Sequence, residues 1–236
     1  MNNNVVLQIA LAAIPAILAI TLHEAAHGYA ALALGDDTAR RAGRLSLNPL
    51  RHIDPVGTIL LPGFLLIGQL MTLGRVAFMF GWAKPVPVSA WRFPDPRRYM
   101  ALVAAAGPAM NFLLAWLGAL ALHLTGWLAP GPANLLATGL LEFIGFNLVL
   151  GLFNLLPIPP LDGGRIAVGL LPEKLALRWA RLERAGILIV LMVVFLLPAL
   201  LRQFGAEFDP VNAVLSGVVV RGIALMLNLA GFHGTA

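Results

Sequence analysis

Leu22-His23-Glu24-Ala25-Ala26-His27-Gly28 lies inside an apolar stretch, residues 5–34, long enough to cross a bilayer as a helix. Two histidines four apart stand one turn apart on one helix face, so both can reach a single metal ion. The glutamate beside the first histidine then stands next to that metal as a candidate general base. Three ionisable side chains in so apolar a setting are costly unless they pair or perform chemistry. The setting of the motif therefore carries as much information as its spacing.

The rest of the chain is built of the same material. Of 236 residues, 59% are hydrophobic and 11% charged, with a mean hydropathy of +0.86. A soluble domain is nearer half apolar and a quarter charged. Composition thus points to an all-α polytopic membrane protein. Its 24 Gly and 17 Pro are spread through apolar segments, which suits packed and broken membrane helices. Cysteine is absent, which excludes disulfides, thiolate metal sites and a cysteine nucleophile. The net charge of +5 comes from Lys and Arg gathered in loops, with no basic stripe interleaved with aromatics, so nucleic-acid binding is not expected. Met1-Asn2-Asn3-Asn4 offers no basic start for a signal peptide, and the first apolar segment reads as a retained helix.

Five spans are expected, at residues 5–34, 101–125, 134–156, 186–201 and 211–229. A sixth apolar segment, 56–73, carries Pro62-Gly63 near its middle, which favours a break or a re-entrant hairpin. Residues 76–93 are rich in aromatic and β-branched types, and Pro85 and Pro87 forbid helix, so they read as extended edge-type structure. The fold expected is five to six transmembrane helices plus a membrane-dipping β or re-entrant segment. It forms a single membrane domain over 1–236, with a core at about 5–171 and further helices at 184–231. Arg40, Arg41, Arg44 and Arg51, then Lys84 to Arg98, then Lys174 to Arg184 place the basic loops on one side. The positive-inside rule puts that side in the cytoplasm and the N-terminus outside, as in a bacterial cytoplasmic membrane.

A catalytic zinc takes three protein ligands and keeps one position open. His23 and His27 supply two. Candidates for a third include His52, His123, His233, Glu142 and Asp162. Asp162 follows Asn154-Leu155-Leu156-Pro157-Ile158-Pro159-Pro160-Leu161, where three prolines in four residues break a helix, and it precedes Gly163-Gly164. A broken helix is tolerated at membrane depth where it lines a cavity or is buried in protein. Read alone, Asp162 is either a ligand beside such a cavity or, more simply, a cap for a helix at 163–171. Glu142 reads as an interfacial or ion-paired residue, His52 with Asp54 as a loop pairing, and His123 as a satisfied histidine near the outer end of its span.

The chain resembles the site-2 protease family of intramembrane zinc metalloproteases, in its compact bacterial form. The resemblance rests on three blocks in order: His23-Glu24-Ala25-Ala26-His27, Gly107-Pro108-Ala109-Met110-Asn111, and Asn154 to Gly164. Ser46 to Thr58 and Phe80 to Val88 extend it, and it covers about residues 15–171. The resemblance implies Zn2+ held by His23, His27 and Asp162, with Glu24 as general base. It implies that Asn154 holds the substrate backbone or the oxyanion, beside Pro157 and Pro159. It also implies that the segment around Lys84 and Val86 receives an extended substrate. The partner implied is a membrane protein cleaved in or near a transmembrane segment within the bilayer; a homo-oligomer is compatible with it. The PDZ insertion and nucleotide-sensing domain of larger members have no counterpart between or after these blocks. The competing classes are a membrane metal transporter and a non-catalytic zinc-binding scaffold.

Overall fold

A computed structural model describes residues 2–73, 81–204 and 210–232. It is helical throughout its regular structure: α1 (Asn2–Ala33), α2 (Thr38–Arg41), α3 (Leu61–Leu73), α4 (Pro96–Ala121), α5 (Pro130–Asn154), α6 (Asp162–Leu170), α7 (Glu173–Arg181), α8 (Gly186–Leu191), α9 (Leu197–Gln203) and α10 (Pro210–Leu229). Three helical stretches, Ala10–Ala33, Pro96–Trp127 and Pro130–Asn154, are long and apolar enough to cross a membrane. They coincide with the first three expected spans, and the protein is an all-α integral membrane protein.

α4 is the central element, packed against α1, α5 and α6. Its sequence explains this. Val103, Ala104, Gly107, Pro108, Asn111, Ala115, Gly118 and Ala119 form a buried stripe of small residues, which lets neighbouring backbones approach closely. Asp95 caps the helix by accepting from the Arg98 N–H, and Pro96 occupies the first turn, where its missing N–H costs nothing. At the far end Ala115, Ala119, Leu122, Ile144, Leu148, Met226 and Ala230 knit α4, α5 and α10 into one apolar cluster. The His123 ring, 2.7 Å from the Ala230 carbonyl, ties the end of α10 to that cluster, as expected of a satisfied bundle histidine.

Two expectations are corrected. The chain does not turn back at Pro62-Gly63. A π-helical stretch (Pro55–Leu60) continues into α3, so the chain stays helical through Pro62 and Gly63. Asp54 starts this run by accepting from the Val56 and Gly57 N–H groups, and His52 lies 2.8 Å from the Ser46 carbonyl, so each has its own loop partner. Residues 76–80 lie outside the described residues. Residues 81–89 form no strand: the chain is pinned by single hydrogen bonds instead, Trp82 N–H to Gly57 O and Lys84 N–H to His52 O. Pro85 and Pro87 supply no N–H, so a ladder cannot propagate along them. Among the described residues no β-strand occurs.

Candidate metal centre

α1 carries His23, Glu24 and His27 past α4, and Gly107 is what permits the approach. A Cβ at residue 107 would lie 2.5 Å from the His27 ring and 2.6 Å from the His23 ring. The third element is the prolyl turn after α5. It folds back so tightly that a Cβ on Gly163 would stand 2.2 Å from the Leu155 carbonyl, and one on Gly164 2.6 Å from the Pro159 nitrogen. Two glycines are therefore a steric requirement of this turn. Asp162 is the first residue of α6, where the helix dipole favours a carboxylate.

Asp162 does not cap α6. The cap position is Leu161, and the carboxylate turns to the histidines. His23 Nε2 and His27 Nε2 lie 3.1 Å apart, and Asp162 Oδ2 is 3.1 Å and 3.3 Å from them. The three side chains are 6%, 12% and 9% exposed. Both histidines use Nδ1 elsewhere: His23 Nδ1 is 2.6 Å from Asn111 Oδ1, and His27 Nδ1 is 2.8 Å from the Val103 carbonyl. Those two acceptors call for the proton on Nδ1, which leaves a lone pair on each Nε2. Three electron-pair donors then face one another, and Oδ2 has no hydrogen-bond donor. Such an arrangement is repulsive unless a proton or a metal cation stands among them. Bonds of about 2.0–2.1 Å in a tetrahedron set neighbouring ligand atoms about 3.3 Å apart, close to the separations seen, so the donor set fits zinc. Among the described residues this is the one such group of His, Asp and Glu.

Glu24 Oε2 accepts the Val86 N–H at 3.1 Å, which anchors the carboxylate beside the histidines. Val86 in turn lies over Gly28, where a Cβ would meet its Cγ1 at 3.0 Å. The remaining expected residues do not join the cluster of ligands. Asn154 ends α5 and donates its amide to the Leu150 carbonyl. Pro159 is buried, Pro157 exposed, and Lys84 is exposed with its carbonyl bound by Arg44. Glu142 is exposed on α5. Sequence reasoning placed Asn111 in a block without giving it a partner, and it passed over Asn147. The available signal was a fully polar amide in an apolar span, which is retained only at some cost.

Comparison with known proteins places this chain in a family. The model of peptidase family M50 matches residues 131–199, which include the prolyl turn and Asp162. "Putative zinc metalloprotease YwhC" of Bacillus subtilis (strain 168) is 40% identical over 213 residues, covering 82% of this chain and 90% of the relative. The chain belongs to peptidase family M50. "Putative zinc metalloprotease Rip2" of Mycolicibacterium smegmatis is 35% identical over 191 residues, covering 80% of this chain and 67% of that protein. Its namesake in Mycobacterium tuberculosis (strain H37Rv) is 30% identical over 187 residues, covering 78% and 66%. No solved structure matches the chain. The M50 family is that of the site-2 proteases, so the resemblance read from three short blocks holds across most of this chain's length.

Proposed function

We propose that His23, His27 and Asp162 hold the zinc of this M50 protease, and that Glu24 is its general base. The protein is a zinc metalloprotease that cleaves membrane-embedded substrates. The observation that carries the site assignment is the meeting of three buried lone-pair donors, two of them imidazoles whose N–H groups are committed outward. Zinc bound there supplies a Lewis acid for the scissile carbonyl and brings the pKa of water down to about 7.

The chain's own residues do the rest. Glu24 keeps Oε2 on the Val86 N–H, so Oε1 is the oxygen that takes the proton and later returns it to the leaving amine. Burial of the three ligands excludes bulk water and strengthens each charge interaction at the site. Asn154, at the mouth of the prolyl turn, donates to the developing oxyanion once its bond to Leu150 is exchanged. Proline fixes the backbone at 85 and 87 and biases Lys84 and Val86 towards extended geometry. In an extended chain residues 84 and 86 share one edge, and that edge is occupied by His52, Arg44 and Glu24. A substrate strand is therefore received on the other edge, by the carbonyls of Pro85 and Pro87, beside Pro157 and Pro159.

In this reading the molecule is one membrane domain with five to six spans, the basic loops in the cytoplasm and the N-terminus outside. A metal conduit would need further ligands along a path, whereas among the described residues they form a single group; a structural zinc would close its fourth position. Two variants test the assignment, with a co-expressed membrane substrate. Glu24→Gln is expected to keep about one zinc per chain and lose cleavage by at least about 100-fold. Asp162→Ala is expected to lose zinc. Full cleavage by the first variant, or full zinc in the second, overturns the roles given to these residues.

A further inference from the structure

Behind His23 lies a buried chain of amides. Asn111 and Asn147 are both 0% exposed. His23 Nδ1 meets Asn111 Oδ1 at 2.6 Å; Asn111 Nδ2 donates to Asn147 Oδ1 at 2.9 Å and to the Ala19 carbonyl at 3.4 Å; Asn147 Nδ2 donates to the Phe143 carbonyl at 2.8 Å. We propose that Asn147 is a positioning residue which, through Asn111, sets the tautomer of His23 and so makes its Nε2 a metal ligand. The proposal rests on the assignment of His23 as a zinc ligand.

The argument is one of donors and acceptors. A neutral imidazole has one N–H, and a ring that carries it on Nε2 cannot bind metal through Nε2. The partner of Nδ1 decides which form is favoured. For His27 the partner is a backbone carbonyl, which accepts and cannot donate. For His23 it is an amide, which presents oxygen or, turned over, NH2. Turned over, Asn111 would donate to Nδ1 and move the ring proton to Nε2. Asn147 prevents this. Its own NH2 is held by the Phe143 carbonyl, so it shows oxygen to Asn111. An inverted Asn111 would put its oxygen against both Asn147 Oδ1 and the Ala19 carbonyl, and a buried acceptor left unsatisfied is costly. Every donor in the chain thus runs from His23 towards Phe143. The direction is set by a backbone carbonyl of α5, two side chains beyond His23.

The test uses the full-length protein in detergent with ring-15N-labelled histidine, signals being assigned by difference with His23→Gln and His27→Gln. In the metal-free native protein, at a pH high enough to keep both rings neutral, His23 and His27 are both expected as the Nδ1–H form; neutral His23 found as Nε2–H overturns the proposal without any variant. Asn147→Leu removes the acceptor. It is expected to introduce the Nε2–H form at His23 while leaving His27 unchanged, and to weaken zinc binding by about 10–100-fold in competition with a chelator. Affinity within about two-fold of native overturns it. Asn111→Asp presents an acceptor in either orientation, so in that background Asn147→Leu is expected to leave zinc affinity within a few-fold of native; no recovery over Asn147→Leu alone overturns it. If His23→Gln itself leaves zinc affinity unaltered, the ligand assignment fails, and the tautomer measurement still judges the relay.

Discussion

Gly107 shows how small a change the centre tolerates. It faces both histidine rings, and a methyl group there would stand 2.5 Å from the His27 ring, far inside contact distance. α4 cannot retreat as a whole, since it also packs on α5 and α6. Gly107→Ala is therefore expected to displace the rings rather than the helix. Zinc content should fall well below one per chain and cleavage by roughly 100-fold, since displacements of about 1 Å are enough for that loss. Metal analysis of the purified variant beside native protein checks this; native zinc content would show that the rings have room to yield.

At the scale of elements, the segment that holds Glu24 is itself held by Asp36. This carboxylate is 0% exposed and accepts from the Ser89 N–H at 2.6 Å and from the Thr38 N–H at 3.0 Å, with Arg92 nearby. Burial alone would raise its pKa, but the bonds from Ser89 and Thr38, with the Arg92 charge, outweigh burial and lower it below 3.8. A carboxyl with a depressed folded pKa stabilises the fold above its unfolded pKa, and that stabilisation is lost as pH falls through the folded value. The window thus lies at and below about pH 4. Asp36→Asn is expected to melt lower than native protein at pH 7, and the difference should shrink as pH is lowered into that window. Thermal melts across pH check the sign. Because Ser89 follows the Val86 that anchors Glu24, the same variant should cleave about ten-fold more slowly while keeping its zinc.

For the whole molecule, the C-terminal helices pack against the elements that carry the site. A Cβ on Gly186, at the start of α8, would stand 2.5 Å from the Pro159 carbonyl, so α8 is packed directly on the turn that delivers Asp162. α10 closes the apolar cluster of α4 and α5 through Met226 and Ala230. Gly186→Val is expected to lower zinc affinity about ten-fold with α4 and α5 still packed, as displacement of a supporting group commonly does. Truncation after Leu171 is expected to yield no zinc-binding protein at all. Chelator competition on the first and expression with metal analysis on the second separate local from global support.

The membrane class, the helical spans around α1, α4 and α5, and the pairing of His23 with His27 were legible in the sequence, because each depends on local rules: apolar length, helical period, and the cost of charge in an apolar setting. The break before Asp162 was legible for the same reason, since proline acts on its own helix. Spacing alone could not choose between ligand and cap for Asp162; the fold puts Leu161 at the cap position and brings the carboxylate to the histidines over the tight return at Gly163 and Gly164. Nor could it show that α3 runs on through Pro62, that residues 81–89 are pinned by single bonds, or that Asn147 stands behind Asn111. Those facts depend on which helix faces meet and how closely, which is fixed by the packing of α1, α4 and α5 against one another. Local rules can say that a buried amide needs a partner, but the fold alone decides which partner it finds.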